Sequence, residues 1–253
     1  MRVLIVGDVH GQHQELAEVL RQAQTDVGIA AAIQVGDFGF DQEHMAQLPR
    51  FPVPVHVIDG NHEDHRWLRR ALLTGAARGW KATANLIYQP RPSVGRFGSS
   101  AVGFLGGALH VDRPQKHNLV GRFPNYILRQ HREQAAKLFN CEQPELIITH
   151  SCPAGVGIGM RCSPELEAGV VEHVVKAGFD PGPPDDCGEL ELRELWRALN
   201  YRPRGWVFGH FHRTHEALVE GTRFVCLGEE RAGQPQPLWL WDTDERKLLK
   251  VRL

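Results

Sequence analysis

Seven residues suited to holding divalent metals are scattered through the chain in short groups, and each group follows the same kind of segment. Asp8 and His10 stand in Gly7-Asp8-Val9-His10, Asp37 in Gly36-Asp37, and Asn61 in Gly60-Asn61-His62-Glu63. His150 precedes Ser151-Cys152-Pro153, and His210 and His212 lie in Gly209-His210-Phe211-His212. At the end of an extended segment, residues two apart project to one side, so Asp8 and His10 can grip one ion with a carboxylate and an imidazole. Asp37 has two oxygens and can bridge two ions about 3.5 to 4 Å apart. Asn61 offers a neutral amide oxygen, next to His62, an imidazole that need not touch the metal. Singly, these groups read as ordinary turns. Together they supply two carboxylates, one amide and four imidazoles, a set of nitrogen and oxygen donors without thiolate that suits Mn²⁺, Fe or Zn²⁺ better than Ca²⁺ or Cu⁺.

Such donors need elements that bring them to one place. Each group ends a short apolar run that reads as a buried strand: Val3 to Val6, Ile33 to Val35, Val55 to Ile58, Leu146 to Thr149 and Trp206 to Phe208. In open α/β sheets the loops at the carboxyl ends of strands converge on one rim, where ligands gather. Leu16, Val19, Leu20 and Ala23 follow helical spacing, as do Leu192, Leu195, Trp196 and Leu199. Further helices are expected around Trp67 to Leu72, Arg132 to Phe139 and Leu166 to Val175. Further strands are expected at 101–105, 223–227, 238–241 and 248–251. The Pro- and Gly-rich stretches 89–98 and 178–188 read as surface loops. The alternation predicts α/β layers.

Of 253 residues, 42% are hydrophobic, enough for one sizeable core, so a single domain over 1–253 is expected. No apolar run reaches the roughly 18 residues of a membrane span, and the opening strand lacks the length of a signal peptide, so the expected compartment is the cytoplasm. Five scattered cysteines with no C-x-x-C pair indicate neither a disulfide framework nor a zinc knuckle. The net charge of −1 hides an asymmetry: from Arg66 to Arg132 there are twelve Lys or Arg and one acid, Asp112. A positive face beside the site would attract a polyanion such as a nucleotide or nucleic acid.

The order Gly7-Asp8-Val9-His10, Gly36-Asp37, Gly60-Asn61-His62-Glu63, His150, Gly209-His210-Phe211-His212 resembles the calcineurin-like metallophosphoesterase superfamily, in its small bacterial and phage-type members. The resemblance implies a four-layer α/β/β/α sandwich of two mixed sheets. It implies two divalent ions, one held by Asp8, His10, Asp37 and His212, the other by Asp37, Asn61, His150 and His210. It further implies a metal-bridging hydroxide as nucleophile, with His62 as proton donor to the leaving oxygen.

Two departures bear on the substrate. Phosphatases of the superfamily usually read G-D-x-V-D-R-G and R-G-N-H-E, whose arginines clamp a terminal phosphate; here stand Gly36-Asp37-Phe38-Gly39-Phe40 and Asp59-Gly60-Asn61-His62-Glu63. Without those arginines, a phosphodiester of a nucleotide or nucleic acid is expected over a phosphomonoester or a phosphoprotein. The carboxylate that orients the acid histidine in relatives is replaced by Phe40, leaving Asp41 or Asp64 as substitutes. Gly106 to Arg113 also resembles a segment of the small members, which would put Arg113 or Arg122 near the substrate. Some proteins of this fold are binding scaffolds with an impaired site, but here every ligand position is filled.

Overall fold

In the computed structural model the residues described are 1–108, 126–158, 164–176, 186–228 and 238–251. The strands are β1 (Arg2–Val6), β2 (Ala31–Gln34), β3 (Val55–Val57), β4 (Leu86–Tyr88), β5 (Ser93–Phe97), β6 (Ser100–Leu105) and β7 (Leu146–Thr149). They continue as β8 (Gly205–Phe208), β9 (His215–Val219), β10 (Thr222–Cys226), β11 (Leu238–Asp242) and β12 (Lys247–Val251). They form two six-stranded sheets, ordered β12-β11-β1-β2-β3-β4 and β5-β6-β7-β8-β10-β9. In the first, β1 to β4 run parallel, β11 is antiparallel to β1, and β12 is antiparallel to β11. In the second, β6, β7, β8 and β10 run parallel between antiparallel edges. Both sheets are therefore mixed.

Strand alternation assigns the layers. Val3 and Ile5 of β1 pack with Leu146 and Ile148 of β7 and with Trp239 and Trp241 of β11 in the core between the sheets. Leu4 and Val6 point the other way, onto Leu16, Ala17, Leu20 and Ala23 of α1 (His13–Val27). On the far side, Ile147 and Trp206 pack with Phe139 of α5 (Arg129–Glu142) and with Leu192, Leu195 and Trp196 of α7 (Leu190–Ala198). The result is helix, sheet, sheet, helix. Each fully buried Leu, Ile, Val or Phe contributes about 1.5–3 kcal/mol.

Both helices read from their periodicity are present, α1 closing on Gly28 in the left-handed conformation (φ 68°). The stretch 89–98 differs from expectation: it contains β5, because Ser93 to Phe97 pairs with β6 as an edge strand. Also unforeseen are α2 (Gln42–Ala46), α4 (Trp80–Ala84), β4 and β9. Residues 164–175 form α6 (Pro164–Val170) running into a π-helical turn (Val171–Val175). Between β3 and α4 lies α3 (His65–Leu73), capped by Asp64, whose side chain accepts from the amides of Arg66 and Trp67.

Candidate metal centre

The five groups meet. β1, β2, β3, β7 and β8 all end at the same rim, and their turns are cross-tied by buried polar bonds. Gln34, fully buried at the end of β2, donates through Nε2 to the carbonyls of Gly7 (2.9 Å) and Gly36 (2.5 Å) and accepts from Gly36 N (3.0 Å). Glu63, 8% exposed, accepts from the amides of Phe38 (2.9 Å), Gly39 (3.0 Å) and Phe40 (2.7 Å), and from that of Gly60 at 3.3 Å. The Asp8 carboxylate accepts from His210 N at 3.0 Å, and Gly209 N donates to His150 O at 3.0 Å. Glycine is required where the chains cross: a Cβ at Gly60 would strike Asp37 Oδ1, and one at Gly209 would strike Asp8 Oδ1.

Four candidate ligands have left-handed backbone: His10 (φ 47°), Asp37 (55°), His210 (70°) and His212 (50°). For a residue with a Cβ this costs roughly 1–2 kcal/mol, and it persists here because the turns are pinned; His10 N, for example, donates to Asp37 O at 2.7 Å. Strain of this kind concentrates where side-chain direction matters.

Metal-binding atoms of Asp8, His10, Asp37 and His212 lie within 4.8 Å of one another. His212 Nε2 is 3.2 Å from His10 Nε2 and 3.2 Å from Asp8 Oδ2. Beside this group, His150 directs Nδ1 to Val35 O at 2.9 Å, which fixes Nε2 toward Asn61 Oδ1 (3.1 Å) and Asp37 Oδ2 (3.3 Å). The His210 ring is 5.1 Å from that of His150. Asp8, Asp37, Asn61 and His150 form a buried wall, and His10, His62 and His212 stand at its more open mouth. All seven predicted ligands are thus in one cluster of contacts. His62 joins them: its amide donates to Asp37 Oδ1 at 2.8 Å and its ring lies 5.6 Å from that of His10. Arg113 and Arg122 lie outside the described residues.

The electrostatics suit cations. Burial opposes charge on Asp37, yet His150 and His62 beside it hold its carboxyl well below the usual range. Burial likewise opposes charge on His150, but the Asp37 and Asp8 carboxylates outweigh it and lift the imidazole to about 9. Burial and His150 together push His210 down to about 3, keeping that ring neutral with a lone pair to offer. Among the described residues Asn61 Nδ2 is buried without a hydrogen-bond partner, and Asp37 Oδ2 has the 3.3 Å contact with His150 Nε2 alone. Carboxylate oxygens, an amide oxygen and imidazole nitrogens facing one another at 3.1–3.3 Å are an arrangement that divalent cations neutralise.

Both candidate substitutes for the missing carboxylate are engaged by other groups. Asp41 Oδ2 is 2.6 Å from His44 Nδ1, and Asp64 is occupied as the cap of α3. Phe40 is fully buried, stacked on Trp80. Asp59, standing where relatives carry arginine, is 2% exposed; it accepts from Tyr88 Oη (2.9 Å) and Arg91 Nε (3.0 Å) and ion-pairs with Arg91 Nη2. Three groups escaped sequence reasoning: the Gln34 tie, the Glu63 tie and the Asp59–Arg91 pair. Gln34 carried a signal, since an amide inside an apolar strand needs buried partners.

No curated protein matches the chain. Solved structures match its length at low identity. TT1561 of Thermus thermophilus is 13% identical with a TM-score of 0.56, over 99% of this chain and 98% of that one. A putative 5'-nucleotidase from Staphylococcus aureus is 14% identical with a TM-score of 0.56, over 99% of this chain and 52% of that one. GAP50, the anchor in the inner membrane complex of Plasmodium, is 10% identical with a TM-score of 0.51, over 100% of this chain and 89% of that one. These likenesses concern the fold alone. The family model for calcineurin-like phosphoesterases matches residues 1–214, a span that includes every strand end described above, and the chain belongs to that family.

Proposed function

We propose that the chain is a dinuclear-metal phosphodiesterase of the cytoplasm, acting on a nucleotide or nucleic acid with Mn²⁺ as the favoured ion and Fe or Zn²⁺ as substitutes. Asp8, His10, Asp37 and His212 would hold one ion, and Asp37, Asn61, His150 and His210 the other. The observation that carries this is the convergence of the Asp8, His10, Asp37 and His212 ligand atoms within 4.8 Å. Divalent ions at these residues would supply Lewis-acid stabilisation of phosphoryl oxygens and lower the pKa of water.

The protein's own part is orientation and proton transfer. The Val35 carbonyl fixes the His150 tautomer, and the Asp8 carboxylate, bonded to His210 N, fixes the turn that carries His210 and His212. His62, held at the mouth through its amide bond to Asp37, donates a proton to the leaving ester oxygen. Preference for a diester is supported by positions 41 and 59. Aspartates stand at both, Asp59 buried, where a monoester dianion would require guanidinium groups. No helix among the described residues is long and apolar enough to cross a membrane.

The reading is tested with Mn²⁺ present by comparing bis(p-nitrophenyl) phosphate with p-nitrophenyl phosphate. The diester is expected to turn over faster, and a strong monoester preference would overturn the diester assignment.

A further inference from the structure

Immediately beyond the Asn61 turn, the surface is basic without compensation. Residues 65–84 contain Arg66, Arg69, Arg70, Arg78 and Lys81 and no acid. All five are exposed, and among the described residues none of the five side chains has an ion-pair partner. Among the described residues the rest of the basic stretch is engaged: Arg91 with Asp59, Arg96 with Glu142, Arg129 with Glu133 and Arg132 with Glu191. Among the described residues, the uncompensated part of the asymmetry therefore falls within residues 65–84.

That surface has a direction. Arg66, Arg69, Arg70 and Leu73 follow i, i+3, i+4, i+7 spacing and share one face of α3, opposite buried Leu68 and Ala71. The helix is fixed to the site at its start: Asp64 N donates to Phe40 O at 3.1 Å, and the His65 ring reaches Gly60 O at 3.0 Å. Trp67 of α3 stacks on Trp80 of α4, interplanar angle 4°, which joins α3 to the segment that carries Arg78 and Lys81. Cations distributed over α3, the 3-10 turn Ala76–Gly79 and α4 match a chain of phosphates better than a mononucleotide, whose charge sits at one point. A membrane surface fits less well, because α3 exposes only Leu72 and Leu73 while its apolar face is already buried.

We infer that the α3–α4 surface is a binding track for a nucleic-acid strand, which its three α3 arginines hold by the phosphates and lead toward the metal centre. The inference rests on the phosphodiesterase reading for its end point but makes a separate prediction about binding. Strand affinity falls with salt at a log–log slope of about −0.7 per phosphate neutralised. Replacing three contacting arginines therefore flattens the slope by about 2.

The experiment follows anisotropy of a labelled single-stranded phosphorothioate 20-mer bound to the Mn²⁺-loaded full chain between 50 and 200 mM salt. Arg66→Gln/Arg69→Gln/Arg70→Gln is compared with the native protein, and bis(p-nitrophenyl) phosphate hydrolysis is measured alongside. The triple variant is expected to bind at least about tenfold more weakly at low salt, with the flatter slope, and to keep its small-diester turnover. An unchanged slope, no strand binding by the native chain, or loss of co-sedimentation with phosphatidylserine vesicles while strand binding persists would each overturn the track. Failure of the small-diester reaction in the native protein would instead count against the phosphodiesterase reading, and the strand-binding slope would still decide the track.

Discussion

Gln34 donates its side-chain amide to the Gly7 carbonyl at 2.9 Å, tying the turn that carries Asp8 to the turn that carries Asp37. The same amide group also closes on Gly36. Replacing it with Met keeps the volume but leaves two buried carbonyls and one amide unpaired. A loss of about 1–3 kcal/mol of stability is expected, together with at least about tenfold weaker Mn²⁺ binding, since ligand placement by outer contacts is worth 10–100-fold. Calorimetric Mn²⁺ titration of Gln34→Met beside its thermal midpoint checks both, and native metal affinity in a destabilised variant would show that the tie serves folding alone.

His62 acts on the leaving group, so its removal is expected to depend on how much help that group needs. His62→Ala should slow hydrolysis of an alkyl diester by about 10²-fold or more and of a p-nitrophenyl diester far less, with two metals still bound. Equal losses on both substrates would mean that His62 binds and does not protonate. Metal analysis of the same preparation separates either outcome from a collapsed site.

Much of this was legible in the sequence because strand ends are local. Apolar runs followed by Gly-Asp or Gly-His give both the strands and the residues at their tips, and β1, β2, β3, β7 and β8 converge as expected. What was not legible depends on contacts between distant segments. The edge strand β5 is rich in Pro and Gly neighbours and has no periodicity of its own; it exists through pairing with β6. Asp59 read as an absent arginine, whereas its partner Arg91 arrives from 32 residues away. Asp41, a candidate to orient His62, turned to His44 three residues on, where a helix cap placed the imidazole within reach.

Gly60→Ala is expected to damage the site more than the fold. The added methyl would meet Asp37 Oδ1 and the Asp37 amide, so the carboxylate must leave its position. Asp37 is the shared ligand of the proposed pair, and both ions should be lost together. Atomic-absorption metal content near zero with a native-like far-ultraviolet dichroism spectrum is the expected result. Full metal content would mean that Asp37 does not bridge.

Stability should also fall on mild acidification for a reason remote from the metal centre. His56, in β3, accepts at Nδ1 from Gln89 Nε2 (2.8 Å) and meets the Phe97 ring edge-on at 4.6 Å. Burial first, and then Lys81, push its imidazole down to about 4 from an ordinary 6.5. Between those values the unfolded chain binds the proton and the folded chain does not. The contribution is therefore fully present above about pH 6.5 and lost as pH falls toward 4, amounting to about 2 kcal/mol between pH 7.5 and 5. His56→Gln removes the titration and keeps a polar side chain, so its thermal midpoint should drop less than the native one over the same pH change. Parallel curves for the two proteins would place the acid sensitivity elsewhere.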